Sequence, residues 1–322
     1  MWNPPDLKGQ VAWVAGATRG CGRAIAVTLG ECGATVYCTG RSTRAALASG
    51  PDRKETIEET AELVNQAGGK GVAIKCDHTV KAEVEAALEQ IRKDQGKLHI
   101  LVNDMWGGDP LTEWGVEFWK MDLDKGFKMM QTAINAHIIT ARVALPLMLE
   151  EKGPGGPTVV EVTDGDHMGY RGSFFYDLCK HSVIRVGFNL DKELRAQGGR
   201  AFCVTPGFLR SEAMLSHFGV TESNWKEGAA KDPDFANSET PHLVARGIAY
   251  LAAQPAAPAA RQWKVDSSWA LSEQFGFKDA DGGSPHWGRY FQGKYGQIST
   301  FDAATSAAWE NGPSEAVARQ GQ

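Results

Sequence analysis

An α/β architecture, a doubly wound parallel sheet of about seven strands with helices on both faces, is predicted from three observations. Short apolar runs alternate with helical tracts along most of the chain. The first run ends in a glycine-punctuated turn, Gly16-Ala-Thr-Arg-Gly20-Cys-Gly22. The 322 residues accommodate one such unit of roughly 250 residues together with an extension.

Residues 10–15, Gln-Val-Ala-Trp-Val-Ala, are apolar, too short for a helix and stopped by Gly16, which suits a strand buried on both faces. A helix over 23–32 follows, closed by Gly33. Residues 34–39, with Thr, Val and Tyr, form the second strand. A helix over 54–67 ends at Gly68-Gly69. The third strand is 71–76 and its helix 82–93; the fourth strand is 99–103, before a long helical tract at 125–151. Residues 158–163 make the fifth strand, 174–196 a helix and 200–205 the sixth strand. Gln262-Trp-Lys-Val-Asp266 is the expected seventh. Strands separated by helices at this spacing require right-handed crossovers, hence parallel pairing. Residues 271–322 fit no element and are assigned to a C-terminal extension behind a unit spanning 1–270.

Composition excludes several classes. Hydrophobic residues make up 42% and charged residues 23%, ordinary values for a globular protein. Net charge is −5 with Lys and Arg scattered, which disfavours a nucleic-acid or anionic-membrane surface. No apolar run approaches the roughly 18 residues of a membrane span, and residues 1–8 lack the apolar core of a signal peptide. The six cysteines form no C-x-x-C pair and read as buried thiols of a reducing compartment. The expectation is a soluble, cytoplasmic protein.

The glycine turn is where a doubly wound sheet receives a dinucleotide pyrophosphate. Gly16 serves the tight turn, Gly20 lets backbone approach phosphate, and Gly22 lets the helix pack closely, with Thr18 and Arg19 in the same loop. After the second strand stands Thr39-Gly40-Arg41-Ser42, without the acid that favours NAD. Arg41 and Arg44, with Arg19 as a third cation, suit a 2′-phosphate, so NADP(H) is the expected cofactor. Far downstream, Tyr176 and Lys180 stand four apart, on one face of a helix. An ammonium there lowers a phenol from its ordinary value of about 10 and makes it a usable acid and base for an alcohol–ketone pair.

These features together resemble the short-chain dehydrogenase/reductase family, with a Rossmann-like sheet, over residues 8–266. The glycine loop, Cys76-Asp77, Asn103, Asn135, Tyr176 with Lys180, and Pro206-Gly207 appear in the family's order. The resemblance implies that Asp77, with His78 beside it, meets the adenine and Asn103 the adenine ribose. It implies that Asn135 holds a helix kink and a relay water, and that Lys180 contacts the nicotinamide ribose. Pro206, Gly207 and Ser211 would line the carboxamide or phosphate, and Tyr176 would protonate the carbonyl oxygen. It also implies a lid at about 207–240 and a homodimer or homotetramer.

Two departures follow. Asn103-Asp104-Met105-Trp106 replaces Asn-Asn-Ala-Gly, bringing Trp106 to the substrate side. The serine expected after the fifth strand is missing: Thr163 lies thirteen residues before Tyr176, whereas counting from the strand puts Asp164 there. Threonine keeps the donor; aspartate repels an oxyanion and suits a cationic substrate. His167 is a candidate substitute donor, and Phe208 joins an aromatic-rich lining that favours a bulky, partly apolar small molecule. No residue spacing points to a metal. The reading is an NADP(H)-dependent oxidoreductase acting on a ketone, aldehyde or alcohol. The alternatives are a C=N or activated C=C reductase, and a nucleotide-binding scaffold or sensor with impaired chemistry.

Overall fold

The computed structural model describes residues 2–48, 53–255, 262–296 and 300. Seven parallel strands form one sheet: β1 (Val11–Ala15), β2 (Thr35–Gly40), β3 (Lys70–Lys75), β4 (Ile100–Asn103), β5 (Thr158–Val162), β6 (Arg200–Thr205) and β7 (Val265–Ser267). Their order is β3-β2-β1-β4-β5-β6-β7, so the chain reverses direction across the sheet between β1 and β4, the usual place for a ligand crevice. The seventh strand is shorter than expected and begins three residues later.

Side chains alternate along each strand and fill two cores. Ala12, Val14, Ile100, Val102 and Val160 face the layer of α1 (Gly20–Glu31) and α8 (Pro241–Ala253), with Ile25, Leu29, Leu243 and Ile248. Val11, Trp13, Leu101 and Val159 face the opposite layer, with Val84 and Ile91 of α3 (Lys81–Gln95) and Leu147 of α5 (Ala136–Glu150). The helix α2 (Ile57–Gln66) flanks β2 and β3 and is N-capped by Thr56, whose hydroxyl accepts from Glu59 N–H.

The tract expected at 125–151 is α4 (Leu123–Met130), a π-helical turn at Gln131–Asn135, and α5. Contrary to the sequence expectation, this 28-residue run is long and apolar enough to cross a membrane by length and composition, although 56% of its most apolar window is buried inside the protein. The helix α6 (Phe174–Arg195) covers β5 and β6, and α7 (Glu212–Phe218) opens the segment after β6.

No element was expected beyond β7, yet α9 (Ser268–Phe275) and α10 (Trp287–Tyr295) are formed. The helix α9 crosses the suggested boundary at 270/271, and Leu271 and Phe277 sit in the same core as β1 and α1. Tyr290 and Tyr295 donate to Asp234 at 2.6 and 2.8 Å, and Lys294 pairs with the same carboxylate, so α10 is fastened to the segment expected to be a lid. Of the extension, 297–299 and 301–322 lie outside the described residues.

Candidate active site

A cleft of about 850 Å³ opens at the carboxyl ends of β1, β2, β4, β5 and β6. At its floor the glycine loop leaves β1. A Cβ on Gly16 would stand 2.5 Å from the Asp104 carbonyl oxygen, and one on Gly22 would stand 2.2 Å from the Gly16 carbonyl oxygen. Both positions are therefore set by close packing. Gly20 shares a positive φ with Gly16, +56° against +92°, but has nothing nearer than 3.9 Å, where the Ser211 and Glu212 side chains begin. Its N–H, at the start of α1, donates to Glu212 Oε2 at 2.9 Å. A carboxylate of the chain itself thus occupies the helix N-terminus, where backbone N–H groups attract an anion.

Thr18, Arg19, Arg41, Ser42 and Arg53 line the same end of the cleft. The Ser42 hydroxyl accepts from Ala48 N–H at 3.1 Å, and the Thr18 side chain lies over Gly40. Burial and then the neighbouring Arg53 lower the Arg19 guanidinium from its ordinary value, so positive charge is crowded here. Asp77 also lines the cleft; burial opposes its ionisation, but hydrogen bonds from Thr79 and the charge of Arg41 hold it below the usual carboxylate range. His78 reaches the wall with its ring pinned between Thr39 and Thr140 hydroxyls, each at 2.8 Å. Burial, aided by His137, pushes it down to about 3, which keeps it neutral.

Three sequence expectations are corrected by placement. Asn103 is fully buried in β4 and does not reach the cleft; its Nδ2 donates to Glu161 Oε1 at 2.8 Å. It belongs to a buried group in which His137 bridges Glu161, at 2.5 Å, and the Met105 carbonyl oxygen, at 2.9 Å. Asn135 is exposed and outside the wall, where Thr132 and Ala136 stand instead. The kink implied by the resemblance is present as the π turn Gln131–Asn135, but it leaves the Asn135 side chain outside the cleft. His167 does not line the main cleft. It stacks on Phe291, centroids 5.2 Å apart, in a side cavity of about 280 Å³ that meets the cleft at Asp164, Pro206 and Trp287.

The open choice between Thr163 and Asp164 is decided by the turn after β5. Thr163 is buried and its hydroxyl donates to the Lys180 carbonyl oxygen at 2.8 Å, which turns it away from Tyr176. The Tyr176 hydroxyl donates to Asp164 Oδ2 at 2.5 Å. Burial and then the Asp164 charge push the Tyr176 phenol well above its ordinary value. This reverses the expectation that Lys180 draws it down. The Lys180 ammonium sits 4.0 Å over the Trp106 ring and farther, 5.6 Å, from the Tyr176 ring. Trp106 meets Tyr176 edge-on at 5.2 Å and Trp114 leans on it at 4.9 Å.

After β6, Pro206, Gly207 and Ser211 line the cleft, and Ser211 Oγ caps α7 by accepting from Met214 N–H at 3.4 Å. Phe208 also lines it, packed on Trp287 at 5.6 Å. Sequence reading missed Glu212, Arg53 and Glu239, which carry no motif of their own; the first two stand in the same chain segments as Ser211 and Arg41, which it did place at the cleft. Glu239 is buried behind Gly207, accepts from the Ser268 hydroxyl at 2.6 Å, and is pushed up to about 8 by burial. Asp104, one residue past β4, is pushed up to about 7 by burial.

Comparison with known proteins gives a consistent result. Residues 10–218 match the family model described as short chain dehydrogenase. The chain is 29% identical over 281 residues to dehydrogenase/reductase SDR family member 1 of Mus musculus, covering 86% of this chain and 85% of that protein. It is 27% identical over 251 residues to the 3-oxoacyl-(acyl-carrier-protein) reductase FabG of Haemophilus influenzae, covering 78% and 93% respectively. A putative dehydrogenase from Xanthomonas campestris shares the fold with TM-score 0.69 at 24% identity, over 87% of this chain and 94% of that one.

Proposed function

Because the chain belongs to the short-chain dehydrogenase family, whose oxidoreductases use a nicotinamide nucleotide, we propose that it is an NADP(H)-dependent enzyme interconverting a ketone or aldehyde and an alcohol. The observation that carries this reading is the Tyr176 hydroxyl, hydrogen-bonded at 2.5 Å, in a cleft that also holds Lys180 and the glycine loop. The cradle fits a nucleotide: Gly20 N–H already binds a carboxylate, and Arg19, Arg41 and Arg53 gather beside it. The nicotinamide group, when bound, gives or takes the hydride. Tyr176, kept protonated by its raised value, gives the proton to the substrate oxygen and recovers one from solvent. In the oxidative direction Asp164 is the acceptor at hand for the phenolic proton. Lys180 orients the ribose side of the site, and Asp77 and Ser42 bind the adenosine end.

Trp106, Trp114, Phe208 and Trp287 around the cleft support a bulky, partly apolar small molecule. The segment 207–240 serves as the lid, steadied by α10 through Asp234. Phe118, Leu123, Phe127, Phe174 and Leu178 form an exposed apolar face on α4, α6 and the loop before them, which suits a homodimer or homotetramer. The six free, buried cysteines suit a reducing compartment, the cytoplasm. The test is fluorescence titration with NADPH and NADH, followed by ketone-dependent loss of nicotinamide absorbance. Tighter NADPH binding with turnover is expected. Equal binding of both nucleotides overturns the NADP assignment, and binding of neither overturns the whole reading.

A further inference from the structure

Both ends of the cleft carry both signs of charge. Arg19, Arg41 and Arg53 stand with Asp77 and Glu212 at the β1–β2 end; Trp106, Trp114 and Tyr176 stand with Asp164 and Lys180 at the β4–β5 end, and Asp109 acts on both Arg19 and Tyr176. The position facing the Tyr176 hydroxyl is a carboxylate, and the Thr163 hydroxyl next to it in the chain is spent on a backbone carbonyl. A carboxylate cannot donate to a substrate oxygen and repels charge developing there, whereas it accepts readily from an N–H or ammonium. Asp164 has a loose ion pair of its own: Arg171 Nε stands 3.9 Å from Oδ2, and the same guanidinium lies closer to Asp177, at 3.4 Å. The Asp164 side chain is 42% exposed and stands where the main cleft and the side cavity meet. Aromatic faces beside it already hold a cation, since the Lys180 ammonium lies 4.0 Å over Trp106.

We propose that the substrate carries a cationic nitrogen at its reacting carbon or on the carbon beside it, and that Asp164, with the Trp106–Trp114 wall, holds that cation. The proposal rests on the hydride-transfer reading and names the substrate class it applies to. For an amino ketone, the hydride adds to the carbonyl carbon and the Tyr176 proton to the oxygen. The product is an amino alcohol, one solvent proton is consumed, and the ammonium keeps its own throughout. For an iminium, hydride addition alone gives the neutral amine, and no proton from Tyr176 is needed. Both share the cation that Asp164 recognises.

The probes are 2-(dimethylamino)acetophenone, which is cationic at neutral pH, its neutral near-isostere isovalerophenone, and N-methyl-3,4-dihydroisoquinolinium. Quenching of tryptophan fluorescence in the nucleotide-free protein reads binding without any turnover. Either cation is expected to bind about ten-fold more tightly than isovalerophenone, and Asp164→Asn to erase that preference. Equal affinity for the three probes, no saturable quenching by either cation, or an unchanged preference in Asp164→Asn overturns the proposal. Turnover with NADPH then separates the two sources. Loss in Tyr176→Phe marks the amino ketone, and retention in that variant marks the iminium. A cation preference in binding, with no NADPH binding at all, refutes hydride transfer while leaving the recognition intact.

Discussion

At the level of single residues, the Tyr176–Asp164 hydrogen bond changes what the tyrosine is suited to do. A phenol held high by burial and a facing carboxylate stays protonated, the state that the proposed reduction requires of an acid. Tyr176→Phe is expected to lower the turnover of a ketone by about 10²- to 10⁴-fold while leaving NADPH affinity within about two-fold, read by steady-state kinetics and titration. Glu212 acts at the other end of the cleft. Its carboxylate sits on Gly20 N–H, where a nucleotide phosphate belongs, so the two anions compete. Glu212→Gln is expected to tighten NADPH binding by about five-fold; weaker binding in the variant would show that the carboxylate assists the nucleotide. Buried carboxyls also set a pH dependence. Burial pushes Asp104 up to about 7 and Glu239 up to about 8, whereas unfolded carboxyls titrate near about 4. The folded protein therefore holds protons that the unfolded chain has released. The stability this brings is full below about pH 4 and is lost as pH rises through 7 to 8. Melting temperature should fall over that interval, and the fall should shrink in Asp104→Asn; an undiminished fall would remove Asp104 as its source.

Among the elements, the β1–α1 turn was the most legible, because glycine is demanded there by contacts that any side chain would violate. A Cβ at Gly22 would meet the Gly16 carbonyl oxygen at 2.2 Å, backbone against backbone. Gly22→Ala should lower stability by about 1–3 kcal/mol and displace the start of α1, weakening nucleotide binding as well. A wild-type melting curve with unchanged NADPH affinity would mean that the loop yields freely. The long helix was legible in extent but not in phase. The kink expected at Asn135 is there, as the π turn at Gln131–Asn135, but the Asn135 side chain lies on the surface rather than in the cleft. Beyond β7, α9 and α10 escaped reading because their stripes are mixed. Trp269 and Leu271 of α9 find their burial on other elements, and α10 is held through Tyr290, Lys294 and Tyr295 on Asp234.

Over the whole molecule, α4, α6 and the loop before them expose apolar side chains. Phe127 is 59% and Leu123 51% exposed, and Phe118 stacks within 4.2 Å of Phe174. Light scattering after gel filtration should give a multiple of the 34.8 kDa chain mass, and Phe127→Lys should shift it towards monomer. A monomeric wild type would remove that role from the face. By itself the sequence determined the succession of strands and helices, the parallel sheet, the glycine turn and the four-residue spacing of Tyr176 and Lys180 on one helix. These depend on periodicity and near-neighbour spacing, which a linear chain displays. Tertiary structure alone decided which residue faces Tyr176. Thr163 and Asp164 are adjacent, and the direction of each side chain follows from where the chain turns after β5 and from the Lys180 carbonyl that captures the threonine. It alone removed Asn103 and Asn135 from the cleft and brought in Glu212 from 192 residues away, since strand alternation, helix phase and lid docking are set by packing between distant segments.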